Sequence, residues 1–577
     1  MRFFALVSLY LSVLGLATLA GGCQRINRSA GAEDRVSAPP WFVDVTEKAG
    51  LHFTHDAGPI GDYFMPQQVG SGAALFDFDG DDRLDIYLLQ NGGPNSRSTN
   101  RLYQQTRDGR FRDVSEGSGL DIAGHNMGVA VGDVNNDGRP DVLVTQFLGL
   151  KFFLNNGDGT FTENTRQAGL DNPSWGASAA FFDYDRDGWL DLIVVNYVDY
   201  DRTWPCKGAY GEPDYCAPKT FHGRVSRLFH NRGVDSQENG KSSWKGFEDV
   251  TELSGLGRLP GPGLGVVCAD FNGDGWPDIF ISNDGEPNRL WINQKNGKFH
   301  EEALVRGAAY NGMGQAQAGM GIAAGDVDGD GLLDLFVTHL TEEANTLWRQ
   351  DPAGLFQDQT APAGLSNPSW RGTGFGTVLA DFDNDGALDL AIVNGRVSAN
   401  PKPEDWSLGP FWSRYGERNQ LFRGDGHGRF EAISQHNEAL CGRLNMGRGL
   451  VCGDIDGDGA VDLLVTSIAG PARLFHNVAP RRGHWLQVRA FDPALQRDAV
   501  GAEVRVRAGG RTRLRVLHPS ESYLCSSEPR AHFGLGAAET VEEIAIVWPD
   551  GSRETFDGCA VDQRLLLQKG LGRLVME

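Results

Sequence analysis

Aspartates recur along this chain at a spacing that crowds carboxylates onto one side of a tight turn. The pattern is D-x-[D/N]-x-D-x-x-x-D, and it occurs seven times. Positions 1, 3, 5 and 9 are Asp77, Asp79, Asp81 and Asp85; Asp133, Asn135, Asp137 and Asp141; Asp183, Asp185, Asp187 and Asp191; Asp270, Asn272, Asp274 and Asp278; Asp326, Asp328, Asp330 and Asp334; Asp381, Asp383, Asp385 and Asp389; Asp454, Asp456, Asp458 and Asp462. Position 7, where a backbone carbonyl would add a ligand, is Arg83, Arg139, Trp189, Trp276, Leu332, Ala387 or Ala460. So many carboxylates in one turn repel each other unless a cation neutralises them. Oxygen-only donors select a hard ion, and calcium takes six to eight oxygens in a flexible shell. The expected cofactor is Ca2+, up to seven ions.

The flanking residues say what holds these loops. Each runs directly into a short apolar segment such as Ile86-Tyr87-Leu88-Leu89 or Leu192-Ile193-Val194-Val195, which reads as a buried strand rather than a helix. An EF-hand would instead close with Glu at position 12 between two helices. Six copies carry Gly at position 6, where the turn needs positive φ, and the first carries Asp82. Two other readings compete. Phe76-Asp77-Phe78-Asp79-Gly80-Asp81 resembles the nucleophile motif of haloacid-dehalogenase-like phosphotransferases, but an enzyme needs one nucleophile, not seven. Plain hairpin turns would not keep a fixed acidic spacing.

The formal charge of −23 follows from the loops, in which 26 aspartates occupy ligand positions. Seven divalent ions would leave −9, an acidity that argues against nucleic-acid binding. From Arg481 onward the balance changes to 14 Lys/Arg against 13 Asp/Glu, the composition of a different domain. At the other end, Arg2, the apolar stretch from Phe3 to Ala20 and Leu19-Ala20-Gly21-Gly22-Cys23 form a lipoprotein-type signal, with Cys23 the lipidated residue. Gln24 to Pro40 reads as a tether. No second stretch is long and apolar enough to span a bilayer. The expected location is therefore the bacterial envelope, lipid-anchored, with the outer membrane or cell surface favoured. An oxidising compartment suits Cys206 and Cys216, which bracket a short loop and are expected to form a disulfide worth roughly 2–3 kcal/mol. Cys525 with Cys559 is a further possible pair, whereas Cys268 and Cys452 read as buried thiols.

The segments between loops repeat as well. An R-L-F-like strand follows each loop, as in Arg101-Leu102-Tyr103 and Arg473-Leu474-Phe475, and an F-x-D-V-T-like strand follows most of those. Four strands per unit of about 63 residues is the pattern of a propeller blade. The seventh R-L-F strand has no F-x-D-V-T partner after it, while an orphan copy, Phe42-Val43-Asp44-Val45-Thr46, stands near the N-terminus. Strands from both ends would complete one blade and remove the free edges. The fold class predicted is all-β: a seven-bladed β-propeller over 41–479, after a signal at 1–23 and a tether at 24–40, followed by a small β domain over 480–577.

These loops resemble the FG-GAP and VCBS repeats of integrin α-subunit propellers, and the order of segments resembles the cartilage acidic protein family. Val500-Gly501-Ala502-Glu503-Val504-Arg505-Val506, Ser522-Tyr523-Leu524, His532-Phe533-Gly534-Leu535-Gly536 and Val547-Trp548-Pro549-Asp550-Gly551 resemble the ASPIC/UnbV domain. Cys525-Ser526-Ser527 stands where that family often has a Ser-Gln-rich segment. The resemblance implies architecture more than activity. Read directly, Glu503 to Val516 alternates around Gly509-Gly510 as a hairpin.

Two spacings between successive loops are long, 87 and 73 residues against 50 to 56 elsewhere. The insertions run from about Tyr197 to Arg224, with Tyr200, Trp204, Tyr210 and Tyr215, and from about Arg396 to Glu417, with Trp406, Phe411, Trp412 and Tyr415. Both leave the repeat at the same point, so they share the face opposite the acidic loops. That face is the expected recognition surface for a protein or a glycan. No G-x-S-x-G, H-E-x-x-H or P-loop is present, and His52-Phe53-Thr54-His55-Asp56 reads as a loop. The leading expectation is a surface-anchored, calcium-stabilised binding protein. The alternatives are a calcium-dependent lyase or hydrolase of polysaccharide, with its groups converging in the propeller's funnel, and a purely structural envelope protein.

Overall fold

Short β-rich apolar runs broken every few residues by Gly and Asp can satisfy their backbone groups only by pairing antiparallel with near neighbours, and the chain does this throughout. The computed structural model describes residues 39–208, 211–234, 243–367, 371–480 and 483–574. The signal, Cys23 and nearly all of the tether lie outside the described residues.

Among the described residues, seven four-stranded antiparallel sheets are built as meanders. In the first, Ala73–Phe76, Asp85–Leu88, Arg101–Gln105 and Phe111–Asp113 pair in chain order. The others open with Asn126–Gly132, Gly176–Phe182, Gly263–Ala269, Ile322–Gly325, Gly374–Ala380 and Gly447–Gly453. The last of these sheets takes its fourth strand from the other end of the chain: Phe42–Asp44 pairs with Arg473–Asn477, with Phe42 opposite Asn477 and Asp44 opposite Phe475. Helices are few and short.

The opening strands are almost wholly buried, and each touches the opening strand of the next sheet in a cycle that returns from the seventh to the first. The result is propeller-like. Glycine makes the close approach possible: a Cβ on Gly321 would lie 2.0 Å from the Phe375 carbonyl oxygen of the neighbouring sheet. Hydroxyls at the far ends of the second strands, or just past them, staple one sheet to the next. Ser282 Oγ donates to the Met320 carbonyl at 2.6 Å, Thr338 Oγ1 to that of Phe375 at 2.9 Å, and Thr466 Oγ1 to that of Ser71 across the closing seam.

The remaining strands make two sheets with their own core. His484–Asp492 pairs with Arg497–Asp498 and Ala531–Gly536 and, in parallel, with Gln563–Gln568. A five-stranded sheet contains the expected hairpin, Glu503–Ala508 with Arg511–Val516, turning through Gly509 and Gly510 at φ of 59° and 71°. Leu486, Val504, Phe533, Ile544 and Trp548 fill the space between these sheets. Residues 39–577 nonetheless form one compact unit.

That unity has a specific cause. The segment after Pro519 leaves the C-terminal sheets and runs down the axis of the ring, filling it. Ser522 exchanges two backbone hydrogen bonds with Ile322, the Val129 amide donates to the Leu524 carbonyl, and Ser526 exchanges two with Ala73 and Leu75. Ser522 Oγ accepts from the Thr377 amide at 3.0 Å, and Tyr523 donates its hydroxyl to the Val69 carbonyl at 3.1 Å. The Tyr523 ring packs edge-on to Phe375, and Tyr523 and Ser526 are completely buried. Ser522 and Leu524 take positive φ, 69° and 60°, a strained state that these bonds from several sheets hold in place.

Two expectations about cysteines are settled here. Cys206 and Cys216 form a disulfide. Cys525 and Cys559 are free thiols: Cys525 is committed to the axial segment against Gly449, while Cys559 belongs to the strand Arg553–Ala560 of the outer sheet.

Candidate metal centres

Each acidic loop is the hairpin between the first and second strands of its sheet, and position 9 begins the second strand. In the first loop the Asp85 carboxylate accepts from the Phe78 amide inside the loop and from the Gln105 amide on the third strand. The same two bonds recur in all seven loops, from Val134 and Asn155, Tyr184 and Asn231, Phe271 and Asn293, Val327 and Gln350, Phe382 and Gly424, and Ile455 and Asn477. Position 9 is thus a latch tying hairpin to sheet as well as a prospective ligand. Replacing Asp191 by Ala would strand the Tyr184 and Asn231 amides and is expected to cost on the order of 3 kcal/mol. Comparing its melting temperature with that of Glu116→Ala, at an exposed site, checks this; equal shifts would refute the latch.

Position 1 folds the loop over itself. Asp77 accepts the amides of Gly80, Asp81 and Asp82, and Asp454 those of Gly457, Asp458 and Gly459. Position 6 has positive φ in every copy, Asp82 included at 66°. Position 4 does too, with Asn136, Arg186 and Asn384 between 55° and 62°, a requirement not read from the sequence. The amide of position 7 donates to the carboxylate of position 5 in each loop.

The side chains left over face one another. Oxygens of Asp77, Asp79 and Asp81 lie within 4.8 Å of each other, as do those of Asp183, Asp185 and Asp191 and those of Asp326, Asp328 and Asp334. Asp185 Oδ1 is buried with no hydrogen-bond partner. Burial first, and then the neighbouring carboxylates, push Asp85 and Asp334 up to about 8, Asp183 to about 7, and Asp141, Asp191, Asp278 and Asp389 well above the usual range. Groups so reluctant to ionise together, offering oxygen donors and one orphaned buried oxygen, fit a hard divalent cation.

Each loop also has a basic neighbour from its own sheet. Arg83 leans on Asp81 and Arg139 on Asp137; Lys295 lies 3.4 Å from Asp274; Arg349 pairs with Asp328, and Arg423 lies 3.1 Å from Asp385. In the third loop the neighbour is His230, whose Nδ1 is 3.2 Å from Asp191 and 3.4 Å from Asp185. In the seventh it is His476, 3.1 Å from Asp462 and 3.4 Å from Asp456. The hydrogen bond to Asp191 outweighs burial and holds His230 up at about 9. The sequence reading passed over both histidines, although the repeated pentapeptide Arg-Leu-Phe-His-Asn at 227–231 and 473–477 marked them.

The loop face is covered by the C-terminal sheets, which meet it with arginines. Arg497, a buried side chain, donates to Asn136 Oδ1 at 2.9 Å and to the Gly188 carbonyl at 3.2 Å, joining the second and third loops. Arg564 lies 3.0 Å from Asp454 and Arg530 pairs with Asp82. A cavity of about 550 Å3 remains between the two layers, bordered by Asp79, Arg139, Arg489, Phe491 and Leu566.

On the opposite face the two insertions do meet, but mainly each other. Asp214 accepts the Tyr415 hydroxyl at 2.7 Å and the Ala399 amide at 2.9 Å. Tyr215, Trp412 and Tyr415 are buried, packing with Tyr63 and Phe411, because the inserted loops must cover the end of the ring. The expected exposed aromatic surface reduces to Trp204 and Trp406, which are 56% and 59% exposed; Tyr210 lies outside the described residues. Arg448 is completely buried, its guanidinium 3.8 Å over Phe375 and donating to the carbonyls of Gln68, Gly395 and Gly447.

Comparison with known proteins agrees with this layout. The family model for the FG-GAP-like repeat matches residues 77–144, 133–194, 270–337 and 326–392, and that for ASPIC and UnbV matches 492–573. Cartilage acidic protein 1 of Mus musculus is 27% identical over 576 residues, spanning 94% of this chain and 77% of its own length. The likeness to cartilage acidic protein 1 thus runs along nearly the whole chain, through the repeats and the ASPIC/UnbV segment alike. Its counterpart from Homo sapiens is likewise 27% identical, over 89% of this chain and 74% of that protein. The loop at Asp454 falls outside the matched repeats yet makes the family loop's bonds in full. Among solved structures, a rhamnogalacturonan lyase of Bacillus licheniformis overlaps 71% of each chain at 13% identity with a TM-score of 0.36, too little to bear on function.

Proposed function

We propose that this chain is an exported, calcium-clasped seven-bladed β-propeller with a small C-terminal β domain seated on its loop face, and that it binds a protein or glycan. Calcium would sit in up to seven hairpin loops, held by the carboxylates at positions 1, 5 and 9, the carboxylate or Asn amide oxygen at position 3 and the carbonyl at position 7. There it would neutralise the crowded carboxylates and stiffen the hairpins. The observation that carries the binding reading is the filled axis. Ser522 to Ser526 occupy the funnel in which an enzyme on this scaffold would gather its reacting groups, so recognition falls to the outer surfaces. Export is supported by the Cys206–Cys216 disulfide, and anchoring through Cys23 remains part of the proposal. Among the described residues no helix is long and apolar enough to cross a membrane.

Screening the full chain on glycan and surface-protein arrays, with calcium and with EDTA, tests the reading. The expected result is calcium-dependent capture of one ligand class, weakened about tenfold or more by Trp204→Ala with Trp406→Ala if the insertion face carries it. Turnover of a polysaccharide with no retained ligand would reverse it.

A further inference from the structure

The seven loops share one oxygen frame but differ at a single register. The residue just before the third-strand amide that bonds position 9 is Gln104 in the first sheet, apolar in the second and fourth, Arg349 and Arg423 in the fifth and sixth, and His230 and His476 in the third and seventh. The strand geometry brings this side chain back over the loop, which is why the two arginines reach Asp328 and Asp385. A histidine in the same place brings a nitrogen donor to the carboxylates.

We infer that the third and seventh loops are mixed nitrogen and oxygen sites that take a first-row transition ion, of which Mn2+ is the test case, in preference to calcium, with Nδ1 of His230 and of His476 as ligands. The inference rests on the reading of the loops as cation sites. Donor atoms of Asp185, Asp187 and His230 lie within 4.8 Å of one another, as do those of Asp456, Asp458 and His476. Metal–ligand bonds of about 2.1–2.3 Å at right angles place adjacent donors about 3.0–3.3 Å apart. The imidazole nitrogens stand 3.2 and 3.1 Å from the position 9 carboxylates and 3.4 Å from those of position 3. Asp185 Oδ1, buried and without a partner, supplies an unused oxygen in the third loop. Calcium gains little from imidazole, whereas first-row ions bind it well, so the same nitrogen that leaves calcium short of an oxygen favours the other metal. Both histidines are about a quarter exposed, 26% and 28%, which leaves the loops open to an arriving ion.

The test uses the full chain stripped with chelator and then equilibrated with Mn2+ alone, Ca2+ alone, and Mn2+ against about a tenfold excess of Ca2+. Metal content and pulsed electron paramagnetic resonance are the readouts. Two equivalents of manganese are expected to survive the competition and to show the nitrogen coupling of a bound imidazole. In His230→Gln with His476→Gln, which replaces each nitrogen donor by an oxygen of similar reach, that coupling disappears and manganese retention falls about tenfold, while calcium uptake and the calcium-dependent melt are kept. Calcium uptake without retained manganese or nitrogen coupling would overturn the inference and leave the calcium reading standing. Failure to take up either ion would overturn both.

Discussion

Chelating calcium from the full chain with excess EDTA is expected to lower its melting temperature by about 9 °C. A site of about 0.1 mM affinity in about 1 mM calcium contributes roughly 1.4 kcal/mol to the folded state, so seven contribute on the order of 10 kcal/mol. The compact unit spans 539 residues, 39 to 577. At about 2.1 cal/mol/K of unfolding entropy per residue, that loss corresponds to the stated shift. Part of each site's binding free energy is the relief of repulsion among carboxylates that burial already holds above their ordinary range, Asp85 and Asp334 among them. Differential scanning calorimetry with and without EDTA, and with calcium restored, measures it. An unchanged melt would end the cation reading of all seven loops at once.

Ending the chain at Ala479 is expected to do more. The seven sheets would all be present, yet the amides of Leu75, Val129, Ile322 and Thr377 would lose the acceptors that the axial segment supplies. Four buried donors without acceptors cost roughly 1–3 kcal/mol each. Removing Tyr523 and Leu524 from their cluster with Met127, Phe375 and Met320 empties the middle of the ring besides. The truncated protein should be recovered as aggregate, or melt more than about 10 °C below the full chain. Tyr523→Ala, at about 3–5 kcal/mol, is the milder version in a chain that still folds. A truncated ring with the full chain's cooperative melt would show that the axial segment only occupies space the sheets do not need filled.

Much of the fold was legible because its determinants are local. The loop spacing, the apolar runs beside it and the stray Phe42-Val43-Asp44 strand each follow from a few consecutive residues, and the structure places the strands where those residues put them. Position 6 of the loop was readable for the same reason, since glycine there has one conformational use. What escaped depends on residues far apart in the chain. Nothing near Ser522-Tyr523-Leu524 says that its partners are Ile322, Val129 and Val69. Likewise, Asp214 gives no local hint that it joins one insertion to the other through Tyr415. Trp204 and Trp406 of the insertions are exposed as expected, but Tyr215, Trp412 and Tyr415 are buried, because composition reports that a side chain is sticky, not which surface it meets. His230 and His476 lie between these cases, visible as a repeated pentapeptide but interpretable only once the third strand is seen to pass over the loop.

The seam between Phe42–Asp44 and Arg473–Asn477 has a consequence for how the molecule comes into being. Six sheets can form in order as the chain emerges, each from consecutive residues, but the seventh waits for its partner until more than four hundred residues have followed Phe42. The axial residues arrive later still. Until then the nascent chain carries an unpaired strand near its start and a hollow row of inner strands, both liable to pair with a neighbouring molecule. Closure late in synthesis makes maturation slow for so many local hairpins, and it extends the hazard of misassembly until the strand at Arg473–Asn477 has been made.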